Sequence, residues 1–223
     1  MLHVCSVSKN MTDLDGAMRS GIILSGGKSS RLGRDKGLVD LEGRALILRV
    51  IDRLRDVVDE IIVVVGSEAM VPRYLEVVPE DVRVVSDCYQ EDSPLIGLIT
   101  GLREARGEYA VACACDMPFI DPSIIEMLFD ISYGFNGALL VKPNGWIEPI
   151  PSIYYVANCL LYAEELRETG ERRIRKVLET MNNRVLLPLE NLRKIDPDLI
   201  SFIDLDTADS IEAARKIVTK SSD

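Results

Sequence analysis

Hydrophobic positions along the chain fall into short β-branched runs separated by longer amphipathic stretches. The run at 22–24, bounded by Gly21 and Ser25-Gly26, fits a buried strand. Leu46, Ile47, Val50, Ile51 and Leu54 recur at helical spacing and predict a helix over about 46–57. Before it, residues 38–44 read as a small hairpin with Gly43 in the turn. The continuous run at 61–65 has the pattern of a strand covered on both faces of a parallel sheet. A strand is expected at 82–85, a helix at 95–106 ending on Gly107 as its C-cap, and a strand at 109–115. Asp121-Pro122 reads as the cap and first turn of a helix through 129. A strand at 138–141, a turn at 142–145, and extended chain over 148–155 come next. Helices are expected at 158–166 and 172–181, strands at 185–187 and 201–205, and a last helix over 210–218 capped by Thr207-Ala208-Asp209.

This order predicts an α/β fold, a doubly wound and mostly parallel sheet flanked by helices, with ligands received at the carboxyl ends of the strands. Gly26-Gly27, Gly66-Ser67, Asp87 and Asp116 all fall at such ends. No repeat or linker interrupts the pattern, so the expected organisation is a loosely ordered extension over 1–20, one domain over 21–218, and a tail at 219–223. Met11 and Met18 are alternative starts.

With 223 residues, 47% of them hydrophobic, the chain can bury a sizeable core. The net charge of −10 argues against general nucleic-acid or membrane-surface binding, and means that phosphates must meet a local cationic site or a divalent metal. No apolar run approaches the roughly 20 residues that span a bilayer, and residues 1–20 lack the apolar region of a signal peptide, so a cytoplasmic protein is expected. Five irregularly spaced cysteines do not form a secreted disulfide framework. Cys113 and Cys115 would share one strand face as small core residues, and the single histidine, His3, offers them no help as metal ligands.

The chemistry concentrates in the segment from Gly21 to Lys36, where an apolar run leads into a Gly/Ser loop and then Lys28, Arg31, Arg34 and Lys36. Glycines there allow close backbone approach to a ligand, successive N–H groups form a concave anion site, and the cations supply counter-charge. Two common phosphate loops are not matched. A Walker loop ending at Gly27-Lys28-Ser29 would need glycine where Ile22 stands, and the dinucleotide fingerprint would need it where Lys28 stands.

The loop resembles the signature of nucleotidyltransferases, and most of all that of the molybdenum cofactor guanylyltransferases, Leu-Ala-Gly-Gly-x-x-x-Arg-Met-Gly-x-Asp-Lys. Leu24, Gly26, Gly27, Arg31, Gly33, Asp35 and Lys36 match, with Ser25 and Leu32 as small departures. Sugar-phosphate relatives usually have Ala-Gly and a proline where this chain has Gly26-Gly27 and Asp35. The resemblance implies a Rossmann-like GT-A-type domain that joins GMP from GTP to the terminal phosphate of molybdopterin, or of the molybdenum cofactor, with Mg²⁺ (Mn²⁺ as a substitute) and release of pyrophosphate. It implies that Leu24 to Gly27 hold the triphosphate, that Arg31 and Lys36 neutralise its charge, and that Asp116 in Cys-x-Cys-Asp-x-Pro holds the metal. Asp87 takes the family's position beside the guanine base, whose N1–H and 2-amino groups suit a carboxylate. Pro94-Leu95-Ile96-Gly97 resembles the family's segment near the nucleotide, with Ser93 for its first glycine; Val65-Gly66-Ser67 stands where the family has asparagine. Gly170-Glu171-Arg172-Arg173 resembles a segment on the pterin side, with Arg172, Arg173, Arg175 and Lys176 as a cationic cluster. Asp204-Leu205-Asp206-Thr207 aligns with a family amide segment, and on a strand Asp204 and Asp206 would share a face beside the metal.

Each residue also has a plainer reading. Lys28 and Arg34 suit a solvated face, Asp87 an ordinary turn, the basic cluster a solvated helix, and Asp204 and Asp206 caps or turns. Three functions compete with the first: CTP in place of GTP, a different phosphorylated acceptor, and a non-catalytic partner that delivers cofactor. Transient contact with other cofactor-biosynthesis proteins is expected in either case.

Overall fold

The computed structural model describes residues 17–26, 35–91 and 93–220. Its strands are β1 (Arg19–Ser25), β2 (Asp40–Leu41), β3 (Arg44–Ala45), β4 (Glu60–Val65), β5 (Arg83–Ser86), β6 (Tyr109–Ala114), β7 (Gly137–Val141), β8 (Ile147–Tyr155) and β9 (Val185–Pro188). The helices are α1 (Leu46–Leu54), α2 (Val71–Leu75), α3 (Pro94–Glu104), α4 (Pro122–Ser132), α5 (Val156–Glu168), α6 (Ile174–Thr180) and α7 (Ala208–Lys220). Seven strands form one sheet in the order β5-β4-β1-β6-β8-β7-β9. All its pairings are parallel except those of β8, which runs antiparallel to both β6 and β7.

Period-two alternation within the apolar runs divides them between the two faces of this sheet. Ile23, Val63, Val65, Val111 and Cys113 enter a core beneath α1 and α4. Ile22, Ile62, Val64, Ala110 and Ala112 enter the opposite core, beneath α3, α5 and α6. Runs that look uniformly hydrophobic in sequence thus build a three-layer sandwich. A smaller cluster docks α7 on the hairpin, with Leu41, Leu46, Leu205, Ile211 and Ala214 buried together.

The hairpin itself forms as expected: Glu42 and Gly43 both have positive φ, 52° and 75°, the geometry that closes a two-residue turn with the twist of its strands. Two expectations need correction. Gly107 does not cap α3, which ends at Glu104 with the Ala105 amide on the Gly101 carbonyl. A Cβ at Gly107 would lie 2.6 Å from the Met18 carbonyl oxygen, so close packing against the start of β1 explains the glycine. Residues 201–205 are not a strand: a single 3-10 turn, Ile200–Phe202, leads into irregular chain, because burial of Leu205 under α7 takes the place of sheet pairing. β1 begins at Arg19, two residues before the expected domain edge, and α7 reaches Lys220. No helix among the described residues is long and apolar enough to cross a membrane.

Candidate active site

The carboxyl ends of β5, β4, β1 and β6 lie side by side, since Ser86 pairs with Val65, Val65 with Ser25, and Leu24 with Ala114. The residues that follow these ends therefore share one rim. Gly26 faces Gly66 across a narrow gap; a Cβ on Gly26 would sit 3.5 Å from the Gly66 nitrogen and 3.8 Å from Asp87 Oδ2. On the other side of the same carboxylate, a Cβ on Gly97 would sit 3.7 Å from Asp87 Oδ1. Two glycines thus leave open the space around a half-buried carboxylate, and the Asp87 amide is held by the Val65 carbonyl at 2.9 Å. α3 starts beside this space, its Ser93 hydroxyl accepting from the Ile96 amide and Pro94 in its first turn.

Beyond β6, the Cys115 amide donates to the Leu24 carbonyl at 3.1 Å, which swings Asp116 toward the end of β1. Asp116 is only 7% exposed, and a sheltered carboxylate needs a partner to offset its lost hydration. That partner is Lys36, whose Nζ donates to Asp116 Oδ2 at 2.9 Å. Burial by itself lowers the Lys36 pKa, but the hydrogen bond and field of Asp116 outweigh it, so the ammonium is held above its ordinary value. Residues at positions 36 and 116, 80 apart in the chain, are thereby joined at one point.

A second buried network lies behind this pair. Tyr74 of α2 is fully buried; its hydroxyl donates to Asp35 Oδ1 at 2.5 Å and is hydrogen-bonded to the Ser25 hydroxyl. Gly37 covers the network so closely that a Cβ there would lie 2.6 Å from both oxygens. Burial, aided by the fields of Cys115 and Asp35, pushes the Tyr74 phenol well above its ordinary range.

Partial desolvation, followed by the fields of Asp116 and Glu148, pushes the Asp204 carboxyl above its ordinary value, so it lies within electrostatic reach of the Lys36–Asp116 pair. Asp206 adds its field to Lys36. Among the described residues no three His, Cys, Asp or Glu side chains converge as a ready-made metal cage. Asp204 and Asp206 border the site on irregular chain, not on one strand face as expected. The donor set is nonetheless suited to a hard divalent cation, which needs only one or two carboxylates when phosphate and water complete its shell.

A cavity of about 620 Å³ opens beside the start of α3, with an apolar wall from Pro94, Trp146, Pro149, Ile150 and Ile174. Arg173, Arg175 and Lys176 form its cationic rim. Leu95 donates its amide to the Arg172 carbonyl at 3.3 Å, which ties this segment to the start of α3. The cluster is less naked than its sequence implies. Glu171 takes both the Nε and Nη2 protons of Arg173 at 2.9 Å, and Glu179 binds Arg175 at 2.7 Å and Lys176 at 2.8 Å. Arg175 also stacks 3.9 Å above the Trp146 ring.

Of the expected site residues, Leu24, Ser25, Gly26, Lys36, Asp87 and Asp116 gather at the rim, and Arg173 lines the cavity beside it; Arg172 is not part of that lining and meets the start of α3 only through its carbonyl. Gly27 and Arg31 lie outside the described residues, as do Lys28 and Arg34. Cys113 and Cys115 are buried free thiols, as expected of core residues. Tyr74 and Trp146 are additions that the sequence reading missed. Trp146, the only tryptophan, follows an evident turn and was open to notice; nothing near Tyr74 in sequence marks it.

A family model for the MobA-like NTP transferase domain matches residues 21–185. A probable molybdenum cofactor guanylyltransferase of Methanosarcina acetivorans is 33% identical over 202 residues, covering 87% of this chain and 89% of the relative. A molybdenum cofactor guanylyltransferase of Pseudomonas putida is 34% identical over 160 residues, 70% of this chain and 80% of the relative. Among solved structures, the molybdopterin-guanine dinucleotide biosynthesis protein A of Archaeoglobus fulgidus superposes with a TM-score of 0.77 at 27% identity, over 90% of this chain and 99% of that one.

Proposed function

The chain belongs to the MobA-like NTP transferase domain family, and from that premise we propose that it transfers GMP from GTP to the terminal phosphate of molybdopterin, releasing pyrophosphate. The observation that carries this reading is the Lys36–Asp116 pair, 2.9 Å apart, at the rim that Gly26 and Asp87 share. In the reaction an acceptor phosphate oxygen attacks the α-phosphorus of GTP, a P–O bond to that oxygen forms, and the bond to pyrophosphate breaks. The acceptor oxygen is already ionised, so no protein base and no covalent intermediate are required. What the protein supplies is alignment and fixed charge. Lys36, held protonated by Asp116, neutralises charge that builds on the α-phosphate oxygens. Backbone amides after Ser25 receive phosphate oxygens. Asp87 accepts from the Watson–Crick edge of guanine, in a space that Gly26 and Gly97 keep clear. Asp116, with Asp204 and Asp206 at its border, would hold Mg²⁺, or Mn²⁺ in its place. The ion contributes Lewis-acid charge to the triphosphate when bound.

The acceptor enters the cavity beside α3, its ring system against Trp146, Pro149 and Ile150 and its anionic groups toward Arg173 and Lys176. The four cysteines among the described residues, Cys88, Cys113, Cys115 and Cys159, are free thiols, which accords with a reducing cytoplasm as the setting.

The test is pyrophosphate release from GTP, CTP and ATP, each with and without molybdopterin and Mg²⁺. Release with GTP alone among the three, dependent on molybdopterin and metal, is the expected result. Equal use of CTP or ATP removes the base-reading role of Asp87, and GTP binding without any release favours a cofactor-delivery protein.

A further inference from the structure

Two residues that bracket the phosphate loop, Ser25 before it and Asp35 after it, are ten peptide bonds apart along the chain at one end of β1, yet they meet at a single phenol oxygen. That oxygen belongs to Tyr74, which comes from a different element, α2, and has no exposed surface. Such a position is costly for a hydroxyl unless both of its hydrogen bonds are made. Gly37 is pressed against the junction, so the chain on the far side of Asp35 is confined as well. Arg73, the residue before Tyr74, lies 3.9 Å from Asp35 Oδ2 and adds a second, weaker hold on the same carboxylate. Lys36 is the next residue, and its ammonium must span to Asp116.

We propose that Tyr74 is a positioning residue for the transfer reaction: its hydroxyl ties Ser25 to Asp35 and so fixes the Gly26 amide and the Lys36 ammonium in one frame. It touches neither substrate nor reacting atoms and acts only through these neighbours. This role rests on the transfer reading above, but the bridge itself has a signature independent of activity. Loss of the hydroxyl frees both ends of the loop to move separately, and a displacement on the order of 1 Å at a phosphate site lowers turnover by about 10- to 100-fold.

Tyr74→Phe keeps the ring in the core and removes only the bridge. The control is Tyr109→Phe, another tyrosine with a hydrogen-bonded hydroxyl, accepting from the Gly134 amide at 3.0 Å and donating to the Phe135 carbonyl at 3.1 Å, but at the start of β6 and the opposite end of the sheet. Expected for Tyr74→Phe is a fall in kcat of about 10-fold or more, with KM for GTP within about 3-fold of wild type. Amide hydrogen exchange in segments 24–26 and 35–39 rises by about 10-fold in the same variant. Tyr109→Phe leaves both readouts at wild-type values whatever it costs in melting temperature. Wild-type kcat and wild-type exchange in Tyr74→Phe overturn the proposal, and so do equal losses in Tyr109→Phe. If the wild type releases no pyrophosphate from any nucleotide, the transfer reading fails while the exchange comparison still decides the bridge. Should Tyr74→Phe not fold, Ser25→Ala breaks the bridge from its other end and is judged by the same two readouts.

Discussion

At the ends of β1, β4, β5 and β6 the ionisable groups are few and aimed at one rim, around a carboxylate that is almost fully sheltered; around α6 they are numerous, partly to fully exposed and already bound to one another. Lys36 and Asp116 exemplify the first region, with side chains 29% and 9% exposed. Arg173, 71% exposed and gripped by Glu171, exemplifies the second. Sheltered charges are aligned before a ligand arrives, and their fields act through protein instead of water. Exposed pairs exchange partners readily, since water screens what holds them. The rim is therefore suited to stabilising a charge that develops during reaction, and the cavity to capturing an anion that arrives already charged.

The hardest test of this contrast is Asp116→Asn. It keeps the shape of the side chain but removes the charge that holds Lys36 and the proposed cation. A fall in kcat of at least about 100-fold is expected in the pyrophosphate assay, with the melting temperature recorded to confirm folding. A loss below about 10-fold would mean that the sheltered pair is structural and that the two regions do not differ as described.

Asp87→Asn probes the same rim through the base. The amide presents a donor where guanine N1–H also donates, so one bidentate partner is lost. The ratio of kcat/KM for GTP over ATP is expected to drop by about 10-fold, the scale of one such contact. An unchanged ratio moves base recognition elsewhere.

These two regions also differ in how far they could be read from sequence. The common position of Gly26, Asp87 and Asp116 was legible because each follows an apolar run, and parallel strands bring their carboxyl ends to one side; Lys36 follows no such run and reaches the rim through its pair with Asp116. Residues 201–205 were misread, since a buried leucine between polar neighbours looks like a strand whether its burial comes from a sheet or, as here, from α7. Tyr74 was invisible for another reason: its partners at 25 and 35 are 49 and 39 residues away, and no local pattern encodes that meeting. At the cavity, sequence displayed four cations but not the grip of Glu171 on Arg173, because Glu171 is held by the backbone amides of a turn; Glu179 pairs with Arg175 and Lys176 at ordinary helical spacing.

Glu171→Gln sharpens the comparison from the exposed side. Hydrogen bonds from the Arg173 side chain, then the Arg172 amide, hold the Glu171 carboxyl down at about 2. Its charge therefore persists across any working pH, and acidification to pH 5 does not release Arg173. Only substitution does. With Arg173 freed for the acceptor, KM for molybdopterin should fall by about 2- to 5-fold with kcat unchanged, an effect on the scale of one screened contact. A rise in KM would show instead that Glu171 orients Arg173 for the acceptor.

The smallest effect belongs to the sheltered region and reads its burial directly. Burial pushes the thiols of Cys113 and Cys115 up to about 12, from an ordinary 9.0. Both ionise near 9.0 once the chain unfolds, but stay protonated in the folded protein until far higher pH. The unfolded state thus releases protons first as pH rises, so this part of the stability is intact below pH 9 and is lost progressively between 9 and 12. At pH 10 the loss amounts to about 1 kcal/mol for each thiol. Melting temperature measured at pH 8 and pH 10 should fall by less in the Cys113→Ala, Cys115→Ala double variant than in wild type, even though the variant starts lower for want of packing. Alkylation provides the matching control at neutral pH: exposed Cys88 should react, and Cys113 and Cys115 should not. Equal alkaline slopes in the two proteins, or labelling of Cys115 in the native state, would mean that solvent reaches the end of β6, and the charge pair beside it could then claim no more shelter than those around α6.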